Sequence, residues 1–168
     1  MKELTPDLKF LAITLICILS FTTSSAQSLR KYEKPENQTI FINGNDSVLR
    51  FQISEIKPKH YNFNRTYYWY KNNSILKTTG GGDGRTLHGD YTCFFPDNNL
   101  KEKGKFKYGL KTGTWIIWYN NGKMKEISNW CRGLLHGNIS TFDMEGNKIS
   151  TEKYRNGKKI GDSYKPHN

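Results

Sequence analysis

The sequence predicts an all-β protein, an elongated and twisted antiparallel meander of repeated β-hairpins with almost no helix. Three observations predict it. The chain repeats itself every 24 residues, as Gly89, Gly113, Gly137 and Gly161 show. Each period holds two short runs of aromatic and β-branched residues, the composition that suits a pleated, half-buried surface. No stretch beyond residue 26 shows a 3.6-residue apolar period with caps.

In chain order the first element is a leader. Lys2 and Lys9 precede an apolar run at residues 10–21, and small residues fill positions 22–26. That run is shorter than the roughly 20 residues a membrane-crossing helix needs. A basic start, a short apolar centre and small residues at the exit are the marks of a secretory signal peptide. The expected cleavage falls between Ala26 and Gln27, which places the mature protein in the periplasm, cell envelope or extracellular space. The alternative is a single uncleaved anchor. Removing residues 1–26 leaves 142 of the 168 residues, enough for one domain with a core.

Residues 27–64 are expected to form an N-terminal segment with a capping hairpin at about 39–53, turning at Asn43-Gly44. Residues 58–64 would link it to an array of about four units spanning 65–164, followed by a short tail at 165–168. Within the array the columns repeat in phase. One glycine column is Gly89, Gly113, Gly137 and Gly161, and a second is Gly109, Gly133 and Gly157. Tyr91, Trp115 and Ile139 form an aromatic-to-aliphatic column, with Tyr67 one period earlier. Phe94, Trp118 and Phe142 form another behind Tyr70, and Phe106, Trp130 and Tyr154 a third. Trp118 and Trp130 are therefore expected to be buried between neighbouring units. The stretch "GTWIIWYNNGKMKEISNWCRG" shows the unit best: Asn120-Asn121-Gly122 supplies residues that tolerate positive φ and so reads as the hairpin turn. The two glycines of Gly109 to Gly113, Gly133 to Gly137 and Gly157 to Gly161 are expected to flank the reversals between units. The unit from Arg65 is degraded, because a glycine-rich run at 80–84 replaces the end of its second strand.

Candidate chemistry is sparse. His88 and His136 share the sequence Leu-His-Gly, but Thr112 and Ile160 occupy the same column. A ligand or catalytic position would not alternate so freely, so both histidines read as loop residues beside a required glycine. No His or Cys pairs stand at metal-ligand spacing, and no metal or cofactor is expected. The glycine run at 80–84 lacks the lysine-serine or lysine-threonine pair of a phosphate loop. Cys93 and Cys131 should lie about three strand spacings apart, roughly 14 Å, too far for a disulfide. The expectation is two free thiols and no catalytic residues. The net charge of +11 favours acidic partners, and for an exported chain nucleic acid loses weight among them.

The residues "GTWIIWYNNGKMKE", "GLLHG" and "YRNGKKIG" resemble the MORN repeat variant family, of the kind found in YwqK-type antitoxin components. The resemblance covers about residues 65–164, and Asn98 stands where the family prefers glycine. It implies a non-enzymatic protein-interaction module that binds another protein, such as a toxin in an immunity role. The alternative is an envelope-associated structural repeat protein whose basic face lies on anionic lipid or polysaccharide.

Overall fold

The computed structural model describes residues 37–164, and every regular element among them is a strand. The leader, its Ala26–Gln27 junction and the tail lie outside the described residues. The strands are β1 (Gln38–Asn43), β2 (Val48–Ser54), β3 (Thr66–Lys71), β4 (Ser74–Thr79), β5 (Arg85–Phe94) and β6 (Leu100–Lys107). They continue with β7 (Leu110–Trp118), β8 (Met124–Cys131), β9 (Leu134–Phe142), β10 (Lys148–Arg155) and β11 (Lys158–Tyr164). Neighbours pair antiparallel along the path β1-β2-β5-β6-β7-β8-β9-β10-β11, and the sheet does not close.

Two kinds of turn alternate along the meander and give it two unlike rims. On one rim the backbone bonds Phe95 N to Asn99 O (2.9 Å), Tyr119 N to Lys123 O (2.9 Å) and Asp143 N to Asn147 O (3.0 Å) close the hairpins. Each ends on a residue of positive φ: Asn98 at 65°, Gly122 at 80° and Gly146 at 93°. This is a three-residue loop, a type I turn followed by one left-handed residue. On the other rim the turns are Tyr108-Gly109, Arg132-Gly133 and Asn156-Gly157, with both members of each pair at positive φ. That is the type I′ hairpin, whose twist matches the strands it joins.

The amide of each of these glycines also reaches back. Gly109 N donates to Leu87 O (2.8 Å), Gly133 N to Lys111 O (2.9 Å) and Gly157 N to Leu135 O (2.8 Å). The second glycine of each expected pair behaves differently from the sequence reading. Gly113 and Gly137 do not flank the reversals but lie inside β7 and β9, at φ 67° and 104°, and Gly89 of the same column lies inside β5 at φ 108°. They fall where the pairing register shifts, so they are β-bulges that bend the sheet once per period. Gly161, in β11, does not take positive φ.

The consecutive order fails at one place. β3 and β4 form a hairpin across Asn72-Asn73, but they do not stand between β2 and β5. β2 pairs with β5 directly, and β3 borrows only the start of β5, through Trp69 opposite Thr86 and Tyr70 opposite Arg85. The hairpin leaves the sheet's path and packs Tyr68, Tyr70 and Ile75 against the core. That core is Phe51, Ile53, Leu87, Phe106 and Trp115. Its rings meet mostly edge to face: Phe106 lies 4.9 Å from Trp115, 5.6 Å from Tyr91 and 5.0 Å, tilted, from Tyr68. Gly104, cross-paired with Tyr91, makes room for the indole. A Cβ there would lie 2.2 Å from Trp115 Cδ2.

Burial corrects the expectation about tryptophan. Trp118 and Trp130 are only half-buried, whereas Trp115 is 1% exposed. The register explains the difference, since directly opposed residues share a face. Trp118, three residues on from Trp115, falls on the opposite face and lines a shallow groove there with Lys103, Lys105 and Ile116. Trp115 sits mid-strand among Tyr91, Phe106 and the hairpin above. The first unit also departs from its column: Tyr67 packs on Tyr61 at 4.9 Å, and it is Tyr68 that meets the core.

Candidate functional site

The repeat positions do not converge on a catalytic cluster. Apart from the column of Phe94, Trp118 and Phe142, which falls on the other face, they build a ladder across one face of the sheet. Register places Phe51, Tyr91 and Gly104 in one row, and Trp115, Ser128, Ile139 and Glu152 in another. Trp130 faces Leu135, and Tyr154 faces Gly137. Phe94, Trp118 and Phe142 line the rim of the three-residue turns, each opposite the first residue of the following strand.

Lys111 occupies the column that Leu87 and Leu135 fill in the adjacent periods, and it is enclosed by aromatic rings. Its Nζ lies 3.8 Å from the Trp115 ring centroid, 5.3 Å from Trp130 and 6.0 Å from Tyr68. Glu102 Oε1 stands 3.0 Å from it, and both side chains are largely covered, at 16% and 25% exposure. Cation–π attraction and the ion pair together compensate the ammonium for lost water. The same enclosure acts on the phenols. Burial, reinforced by the Glu102 carboxylate, raises both Tyr91 and Tyr68 above the ordinary tyrosine value of 10.0. The cluster is thus a locked structural box rather than an open acid–base site.

The two halves of the ladder differ in cover. Over β2, β5, β6 and β7 the β3–β4 hairpin shields the face. Over β8 to β11 no described strand does so, because β3 and β4 are the only ones off the path. Trp130, Leu135, Ile139 and Tyr154 are left half-exposed there. Glu126, in line with Ile117 and Thr141, carries no ion pair among the described residues. The sequence could not reveal this asymmetry, since every period looks equally covered when read as a column.

The histidines are strand residues, not the loop residues the sequence suggested. His88 lies in β5, where its Nδ1 accepts from Tyr108 N at 3.3 Å and its ring stands 4.8 Å from the Tyr108 ring. His136 lies in β9 and is exposed. The structure therefore does not bring the pair together. Cys93 in β5 is buried and Cys131 at the end of β8 is exposed, with β6 and β7 between them. Both thiols are free. Burial pushes the Cys93 thiol above its usual range, which disfavours the reactive thiolate. Among the described residues no three His, Cys, Asp or Glu side chains gather as metal ligands.

Residues 87–108 and 111–131 match the model of the MORN repeat variant family. Each match begins at a carbonyl that accepts a type I′ glycine amide, Leu87 and then Lys111, so the matched unit is also the hydrogen-bonded unit. No curated protein and no solved structure matches the chain. The family's repeats suggest a protein-interaction module.

Proposed function

We propose that this MORN-variant array is an exported, non-enzymatic binding module that holds an extended segment of a protein partner on its uncovered face between β8 and β10. The observation that carries the reading is internal to the fold. β3 lies over the repeat face with the Tyr68 ring on Phe106 and its backbone N bonded to Gly109 O at 2.7 Å. One period on, the same two positions are Trp130 and Gly133, and two periods on they are Tyr154 and Gly157. Those positions accept the same kind of guest, an aromatic side chain on an extended backbone, a recurring mode of peptide recognition. Glu126 adds a preference for a basic residue in that guest.

The family resemblance makes a toxin one candidate for the partner, with this chain in an immunity-like role outside the cytoplasm. The test is capture from envelope extract of the source cell, with the wild-type chain and Ile139→Arg as baits. Mass spectrometry should find a protein retained by the first and lost by the second. Equal retention by both would place the interaction elsewhere. N-terminal sequencing of the native protein checks export: a start at or near Gln27 supports it, and an intact residue 1–26 segment on a cytoplasmic protein overturns it.

A further inference from the structure

The type I′ rim differs from its opposite in charge. The segments that build it, residues 105–111, 129–135 and 153–159, contain no acid, and their Lys107, Arg132, Lys153, Arg155 and Lys158 make no ion pair among the described residues. The opposite rim carries Asp97, Asp143 and Glu145 in its turns. A rim of one sign concentrates counter-ions before any specific contact is made.

Near the middle of the basic rim is a cleft of about 330 Å³, to which His60, Tyr67, Lys107, Tyr108, Thr112 and Arg132 contribute. The period itself creates it, because Tyr108 and Arg132 are the equivalent residues of successive type I′ turns. Those turns are two strands apart, about 10 Å. Its aromatic walls are fixed. Tyr67 is 3% exposed and its hydroxyl accepts from Asn62 N at 2.9 Å. Tyr108 is held by His88 through the backbone bond already described. Lys107 and Arg132 make no ion pair among the described residues, and no lining residue is acidic. The Lys107 ammonium lies 6.0 Å from the Tyr108 ring centroid, so positive charge and an aromatic surface face the same space.

We propose that this cleft binds a small phosphate ester, its phosphate between Lys107 and Arg132 and its polyol or sugar body against Tyr108. The guanidinium fork and the compact ammonium are the two side-chain cations suited to phosphate oxygens. A third polar group, His60, favours a dianion over a single carboxylate. The volume lies at the small end of ligand pockets, which suits a glycerol- or sugar-sized body beside the phosphate. The phosphate is that of a free ester, and a lipid headgroup is the competing occupant that the test separates. The inference is independent of the partner-docking reading, which concerns the face over β8 to β10.

The test is a titration of the full chain with glycerol 1-phosphate, followed through the amide resonances of Tyr108 and Thr112, with phosphatidylglycerol and phosphatidylcholine vesicles as a second arm. Two double variants are compared: Lys107→Ala with Arg132→Ala in the cleft, and Lys153→Ala with Arg155→Ala on the same rim outside it. Saturable shifts weakened about tenfold or more by the cleft variant, and less than about twofold by the control, support a soluble ester site. Binding of phosphatidylglycerol vesicles alone, with no shift from the soluble ester, overturns the free-ester site. Equal weakening by both variants means only net charge is at work, and overturns the proposal. So does the absence of binding in both arms. The substituted lysines and arginines other than Lys107 and Arg132 serve as the fold control, since all four positions are exposed.

Discussion

Trp115 shows how one side chain can depend on the absence of another. Its indole is nearly inaccessible because Gly104, on the neighbouring strand, offers no Cβ to hold it off. Trp115→Ala should therefore cost about 3–5 kcal/mol, the usual range for a large aromatic lost from a core. Trp118→Ala, half-exposed at the rim, should cost about 1–2 kcal/mol. Gly104→Ala should fall nearer the first value, since either the indole or the backbone must move. Gly113→Ala meets nothing within 4 Å and has only its φ of 67° to strain, so about 1 kcal/mol is expected. Chemical denaturation of the four variants checks the ranking. The cysteines separate by accessibility in the same way. Brief treatment with a thiol reagent should label the Cys131 peptide in the native protein, and the Cys93 peptide only after unfolding. Native labelling of Cys93 would mean that β5 opens locally.

At the scale of the element, the turn is the unit of specification. Asn98 occupies the left-handed position that Gly122 and Gly146 fill one and two periods later, and asparagine tolerates that conformation better than most residues. Asn98→Gly should be close to neutral, whereas Asn98→Ala should cost about 1 kcal/mol, read as a shift in the denaturation midpoint. A loss of equal size in both would show that the side chain, not the φ, matters there. The turns were legible because Asn and Gly report φ directly, and the strands because aromatic columns report a face. The placement of β3–β4 was not legible. A column of equal spacing treats every hairpin as the next rung, but Tyr68 and Tyr70 cover Phe106 and Phe51 instead of lengthening an edge. The half-burial of Trp130 was missed for the same reason: periodicity says which residues share a row, not what lies above it. The cleft at Arg132 was equally hidden, because His60 reaches it from the link before β3.

For the whole molecule, the aromatic box sets an alkaline limit. Tyr91 and Tyr68 hold their protons more tightly when folded than the ordinary value of 10.0 allows. Their contribution is complete below that pH and is lost as pH rises above it, because unfolding then releases protons. Melting temperatures should fall from about pH 10 upward, and Tyr91→Phe should flatten the fall. Lysine neutralisation acts in the opposite sense by relieving the net charge of +11. It is common to both proteins, so the difference between them isolates the phenol; parallel curves would sink the assignment. The open order of the sheet has a mechanical consequence. From β5 to β11 each strand's neighbour is the next in the chain, so a pull on the C-terminal end loads one ladder bond at a time. The array should peel, releasing about 80 Å of chain per 24-residue period at low and even force. Peeling should halt at β5, which β2 and β3 hold besides β6, and where the partner strand β2 is distant in sequence. A tether attached there would behave as a ribbon that pays out from one end and is knotted at the other.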